Sequence, residues 1–180
     1  MLPRWLLLVL VGAVLCTLGD HLHATLGVLV YARVAFWDQA WWVAPLFGSA
    51  TVVCVLGARP FLGGPSPASV APPARLIADL VGFCAAYAYT SVAAHDRPLL
   101  TLLVLSVAFV VRVLGDARSP GLVLYSLLLA VGGTLFEAGL SSTGAFHYLH
   151  PDLLGVPMWL PGIYLHAGLI AGELSLLMRR

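Results

Sequence analysis

Apolar residues fill this chain in long runs, and polar residues fall mainly in the gaps between the runs. A hydrocarbon core of about 30 Å is crossed by about 20 helical residues. Six runs approach that length: residues 3–18, 40–57, 75–94, 98–114, 120–140 and 158–178. The first reaches the polar cluster Asp20-His21-Leu22-His23 and has an apolar continuation over residues 26–31. Residues 58–74, with Pro60, Gly63, Gly64, Pro65, Pro67, Pro72 and Pro73, form the one clear linker. A turn at His95-Asp96-Arg97 joins spans 3 and 4, and a loop over residues 141–157 precedes span 6. The pattern predicts an all-α integral membrane protein, a six-transmembrane-helix bundle forming one domain over residues 1–180.

Composition strengthens that reading. The 180 residues are 61% hydrophobic and 9% charged, whereas a soluble domain carries about 25% charged residues. Six spans use about 120 residues, which leaves no room for a soluble catalytic domain or a nucleic-acid-binding module. The charged-then-apolar start, Arg4 before Trp5 and Leu6, lacks a small-residue cleavage site and reads as the first span rather than a signal peptide. Cys16, Cys54 and Cys84 each lie in an apolar run without CxxC spacing and read as small buried hydrophobes.

All nine basic residues are arginine. With six spans both termini share a side, which carries Arg4, Arg59, Arg75, Arg112, Arg118, Arg179 and Arg180, against Arg33 and Arg97 opposite. The arginine bias predicts that both termini are cytoplasmic. Trp41, Trp42 and Trp159 lie at span ends, where amphipathic rings favour the interface. Gly168 and Gly172 form a GxxxG in span 6, suited to close helix packing within the chain or between copies.

Ionisable groups within a bilayer are candidates for function. Asp20, His21, His23, Glu137, His166 and Glu173 lie in or beside apolar runs. His21, His23, Glu137, His147, His150 and His166 offer metal-ligand chemistry, but their spacings form no HExxH and no repeated histidine box; no metal and no cofactor is assigned. No G-x-S-x-G nucleophile motif occurs, and no broken-helix pair of a transporter is evident. Phe83, Tyr87, Thr101 and Ser106 punctuate spans 3 and 4, which suits either core packing or an apolar cleft with a few polar groups. An integral membrane enzyme or proton-coupled transporter using Glu137 and nearby histidines is the competing expectation, with a structural assembly subunit third.

Three segments carry a resemblance. Ala40-Trp-Trp-Val-Ala-Pro-Leu-Phe-Gly48 opens span 2; Gly115-Asp-Ala-Arg-Ser-Pro-Gly121 follows span 4; Gly144-Ala-Phe-His-Tyr-Leu-His-Pro151-Asp-Leu-Leu-Gly-Val156-Pro-Met-Trp159-Leu-Pro161 leads into span 6. Their order and spacing resemble those of the Insig (insulin-induced gene) family. The resemblance implies a non-enzymatic, multi-pass lipid sensor of the cholesterol-homeostasis family. Such a sensor holds a hydrophobic ligand in an intramembrane cleft and binds a sterol-sensing-domain-type membrane partner. It places partner binding at Asp116, Arg118 and Ser119, where the bland reading of Asp116 is a capping turn residue. It places ligand contacts on spans 3 and 4 at Gly82, Phe83, Tyr87, Leu99, Leu103 and Ser106. The family's Gln and Thr at the start of span 4 fall on Leu99 and Leu103, so a membrane lipid such as diacylglycerol is expected in place of a tightly held oxysterol. The composition suggests a bacterial source and hence the bacterial cell membrane (the endoplasmic reticulum if eukaryotic), with self-association as a further expectation.

Overall fold

A computed structural model describes residues 3–63, 73–93 and 96–179. Its helices are α1 (Arg4–Thr25), α2 (Val43–Ala58), α3 (Pro73–Ala93), α4 (Pro98–Gly115), α5 (Pro120–Ser142) and α6 (Leu160–Met178). Two short strands, β1 (Leu29–Tyr31) and β2 (Phe146–Tyr148), lie between α1 and α2 and between α5 and α6. Residues 64–72 of the expected linker, and His95 of the turn expected between spans 3 and 4, lie outside the described residues. Among the described residues, these six helices are long and apolar enough to cross a membrane once the Arg59–Phe61 turn is added to α2. The protein is therefore a multi-pass integral membrane protein.

Helix boundaries follow local chemistry. Pro98 and Pro120 open α4 and α5 at positions where the missing N–H is not needed, and the Ser119 hydroxyl caps α5 by accepting from the Leu122 N–H at 3.3 Å. At the end of α1, the Val28 N–H bonds the His23 carbonyl at 2.8 Å, and Gly27 takes φ +74°. That left-handed glycine is the usual way to satisfy the last carbonyls of a helix. The apolar continuation after it is consequently a strand rather than more helix.

β1 and β2 pair antiparallel, with Leu29 opposite Tyr148 and Tyr31 opposite Phe146. These four side chains point inward while Val30 and His147 point outward. The strand pair ties the exit of α1 to the α5–α6 connection at one end of the bundle.

The two strand-bearing units repeat at an interval of 117 positions: Asp20 and Glu137, Gly27 and Gly144, Tyr31 and Tyr148, Trp42 and Trp159. Each strand leads into a small hairpin closed by one bridge, Phe36 to Gln39 and Leu153 to Val156. In both hairpins the two central residues have positive φ, Trp37 and Asp38 in one and Leu154 and Gly155 in the other, as a primed turn demands. The chain thus contains a degenerate α–β–α duplication, with α3 and α4 inserted between the copies.

α6 is the central helix: 61% of its most apolar stretch is buried, against 17–28% for the other spans. Side chains added at Gly168 and Gly172 would collide with Ser126 and Leu122 of α5. The GxxxG pair therefore serves α5–α6 packing within the chain. Trp159 departs from the interfacial expectation. It is buried and edge-on to both His23 and Tyr148, because the hairpin after β2 turns it into the bundle, whereas Trp41 is 70% exposed.

Candidate functional site

Helices α1, α2, α3 and α6, with Glu137 of α5 and Tyr148 of β2, line a partly open cavity of about 610 Å³. Its walls are aliphatic and aromatic along most of their length, including Leu8, Val55, Leu80, Phe83 and Ile163. Near the strand pair the lining turns polar, with Asp20, His23, Tyr87, Glu137, Tyr148 and Tyr164. A second space of about 400 Å³ lies between α2 and α5 and shares Asp20, Phe47, Glu137 and Tyr164 with the first. The two carboxylates thus stand where the two spaces meet.

The duplication places these carboxylates in matched settings. Tyr31 donates to Asp20 Oδ2 at 2.6 Å, and Tyr148 donates to Glu137 Oε2. The pairing register that turns both tyrosines inward is what brings them there. Burial, reinforced by the carboxylate each one faces, pushes both phenols well above their usual range, so each remains a donor. Gln39 adds a second bond to Asp20 Oδ2 at 2.5 Å, and Tyr164 donates to Glu137 Oε1 at 2.7 Å. Both of these bonds to Asp20 fall on Oδ2. His23 is engaged with Thr90 at 2.9 Å and stacks on Tyr87 at a ring separation of 5.0 Å.

Of the expected ligand residues, Phe83 and Tyr87 line the larger cavity. Gly82 does not; it faces Arg112, whose guanidinium occupies the space a side chain would need. Leu99 and Leu103 are 67% and 57% exposed, and neither they nor Ser106 line either space. α4, expected to line the cleft with α3 and with span 1 or 5, contributes no residue to either space. Its buried residues, Thr101, Leu105 and Phe109, recur every four positions and face α6, where the His166 Nε2–H bonds the Leu105 carbonyl at 3.1 Å. α1, α2 and α6 complete the walls with α3.

Two of the expected partner residues, Asp116 and Arg118, belong to a largely buried ionic cluster at the opposite end. The Ala117 N–H bonds the Leu114 carbonyl and the Arg118 N–H bonds the Val113 carbonyl, a helix-ending turn that aims Arg118 back into the bundle. There the Arg118 guanidinium meets Asp79 at 3.0 Å, Asp116 at 2.7 Å and Glu173. Asp79 also pairs with Arg112, and the Arg75 guanidinium bonds the Asp116 carbonyl at 3.4 Å. Asp116 is therefore an ion-pair partner on the partly exposed rim, and Ser119 is the cap. Asp79 escaped the sequence reading, although it is a carboxylate one turn into an apolar span, the signal that flagged Glu137.

The histidines are dispersed. His21 donates to the Trp37 carbonyl at 2.9 Å, His147 faces outward and His166 lies deep against α4. Among the described residues no three His, Cys, Asp or Glu side chains are arranged to hold a metal ion.

No protein-family model matches the chain. An INSIG protein homologue of Mycolicibacterium vanbaalenii is 32% identical over 184 aligned positions, covering 96% of this chain and 86% of that protein. The chain belongs to the Insig family. Human insulin-induced gene 1 protein is 30% identical, and the alignment covers 97% of this chain but 65% of the human protein. The fold matches that of a mycobacterial Insig homologue, MvINS from Mycobacterium vanbaalenii, with a TM-score of 0.85 at 23% identity over 98% of this chain and 95% of that one. A cross-linked MvINS trimer gives a TM-score of 0.84 at 24% identity over 96% and 92% of the two chains. The Insig resemblance read from the sequence and the six-helix fold both stand.

Proposed function

We propose that this Insig-family protein is a non-enzymatic sensor that holds one hydroxyl-bearing lipid, a diacylglycerol or a sterol, in the larger cavity. The carrying observation is the cavity's shape and polarity: about 610 Å³ between mostly apolar walls, with carboxyl, phenol and imidazole groups gathered toward the strand pair. That volume lies within the roughly 300–1,000 Å³ typical of small-molecule sites, and a few polar groups in an apolar pocket set ligand orientation. Asp20 Oδ1 accepts the lipid hydroxyl, the Tyr87 hydroxyl donates to it, and the chains lie along Phe83, Leu80 and Ile163. Occupancy biases the packing of α3 and α6 and so the rim around Asp116, where a membrane partner docks. A ligand shifts that balance only by its difference in affinity for the two packings. Both termini are cytoplasmic on this reading, and the trimeric form of MvINS supports self-association.

The test is mass spectrometry of lipids retained by the purified protein, by Ala167→Phe and by Tyr87→Phe. Ala167 lines the cavity, so the added ring fills it. One lipid class held near stoichiometrically by the parent and lost from Ala167→Phe, with folding intact, is the expected result. Tyr87→Phe should weaken retention by about 1 kcal/mol, one neutral hydrogen bond. Full retention by a folded Ala167→Phe variant would remove the cavity as the site. Asp116→Ala should leave lipid retention intact and weaken partner capture.

A further inference from the structure

The end of the larger cavity remote from the carboxylates opens beside Arg4, with Leu76 and Met178 around it. The same corner gathers two more arginines from other elements. The Arg59 guanidinium lies 5.4 Å from the centre of the Trp5 ring, a cation–π contact that holds it against the first turn of α1. Arg179, after α6, donates to the Arg59 carbonyl at 2.5 Å and the Gly63 carbonyl at 2.6 Å. It thereby ties down the turn that carries Arg59.

Among the described residues, no carboxylate at this end is left to pair with these three arginines. The three carboxylates at this end, Asp79, Asp116 and Glu173, all pair with Arg112 or Arg118. Among the described residues Arg4, Arg59 and Arg179 form no ion pair, and Arg59 Nε is buried without a hydrogen-bond partner. α1 begins here without a side-chain cap or an acidic residue in its first turn, so its positive dipole end adds to the field. Trp5, Leu6 and Leu7 are exposed beside the cations and offer an apolar surface to acyl chains.

We propose that Arg4, at the cavity mouth, and Arg59 form a headgroup site for an anionic phospholipid of the adjoining leaflet, a second lipid besides the one held near the carboxylates. The phosphodiester accepts from the two guanidiniums, whose planar forks match phosphate oxygens, and its chains lie on Trp5 and Leu6. An arginine asymmetry that only set topology would need neither the stacking on Trp5 nor the tethering by Arg179.

The experiment measures phosphatidylglycerol binding to the full chain in phosphatidylcholine nanodiscs by native mass spectrometry. It compares the parent with Arg4→Gln/Arg59→Gln and with Arg33→Gln/Arg97→Gln at the other end. Juxtamembrane arginines contribute about 5-fold each, so the first pair should lose roughly 25-fold in affinity and the second pair little. Arg4 is exposed, so Arg4→Gln alone folds normally and should show about a 5-fold loss if the double variant proves unstable. Unchanged affinity in the Arg4 variants, or an equal loss in the Arg33/Arg97 pair, would overturn the proposal. Displacement of phosphatidylglycerol by inorganic phosphate alone would make the site one for the free anion and overturn the lipid assignment. Retention of the cavity lipid is read in the same spectra, so failure here is distinct from failure of the cavity reading.

Discussion

Removing the charge of Asp79 tests whether the ionic cluster holds the loop between α4 and α5. Asp79 is fully buried and takes guanidinium contacts from Arg112 and Arg118; the Arg118 side chain is 1% exposed and that of Arg112 17%. Breaking one partner of a buried pair costs about 3–5 kcal/mol, because the remaining charge is stranded away from water. Asp79→Asn should fall near the lower end, about 3 kcal/mol, since Arg118 keeps Glu173 and Asp116 and Arg112 can turn outward. Asp116→Asn, with a side chain 37% exposed, should cost under about 1 kcal/mol, as screened pairs do. Adding Arg112→Gln to Asp79→Asn removes the cation left without an ion-pair partner, and the coupling between the two changes should reach about 1–3 kcal/mol. The assay is reversible unfolding in mixed micelles titrated with a denaturing detergent and followed by tryptophan fluorescence. Equal costs for Asp79→Asn and Asp116→Asn, or strict additivity of the Asp79 and Arg112 changes, would refute the reasoning.

Three further outcomes are expected. Ala117 sits at φ +49° where α4 ends, so Ala117→Gly should stabilise by roughly 0.5–1 kcal/mol in the same unfolding assay by relieving a left-handed alanine. Gly168→Ala drives a methyl into the Ser126 backbone of α5 and should destabilise by about 1–3 kcal/mol; a neutral result would mean that α5 and α6 are not held in close contact. In a background lacking Cys16, Cys54 and Cys84, a cysteine replacing Gly115 should react with a membrane-impermeant maleimide only from the cytoplasmic face. One replacing Ala35 should react only from the outer face, and the reverse pattern would invert the topology.

The six spans were legible because a run of about 20 apolar residues has few other uses. Which face of each span points inward was less legible. In water the apolar stripe marks the core, but in lipid both faces are apolar and that stripe carries little information. The same loss hid β1: Val30 points outward yet is as apolar as its inward neighbours Leu29 and Tyr31, so the alternation of a strand never showed. The duplication was masked because its anchors are single residues in different apolar contexts, and only the matched turns and the acid–phenol pairs reveal it.

Polar residues invert the usual rule, since a hydroxyl or carboxylate inside the bilayer seeks protein rather than lipid. Asp79, Thr90, Thr101, Ser126 and Ser175 are all fully buried, and each marks the inner face of its helix. Applied to α4, that rule starts from Thr101 and continues every four residues to Leu105 and Phe109. A displacement of two residues turns about 200° around a helix, which puts Leu99 and Leu103 on the opposite, lipid-facing side. A site residue carried over from a family alignment therefore has to agree with the polar face of its own helix. Phe83 and Tyr87 lie on the cavity side of α3, on the arc shared with Asp79 and Thr90, whereas Leu99 and Leu103 lie on the exposed side of α4. The same rule singles out Asp20 and Glu137, two carboxylates that take their hydrogen bonds from phenol and amide groups rather than from arginine and that line both intramembrane spaces.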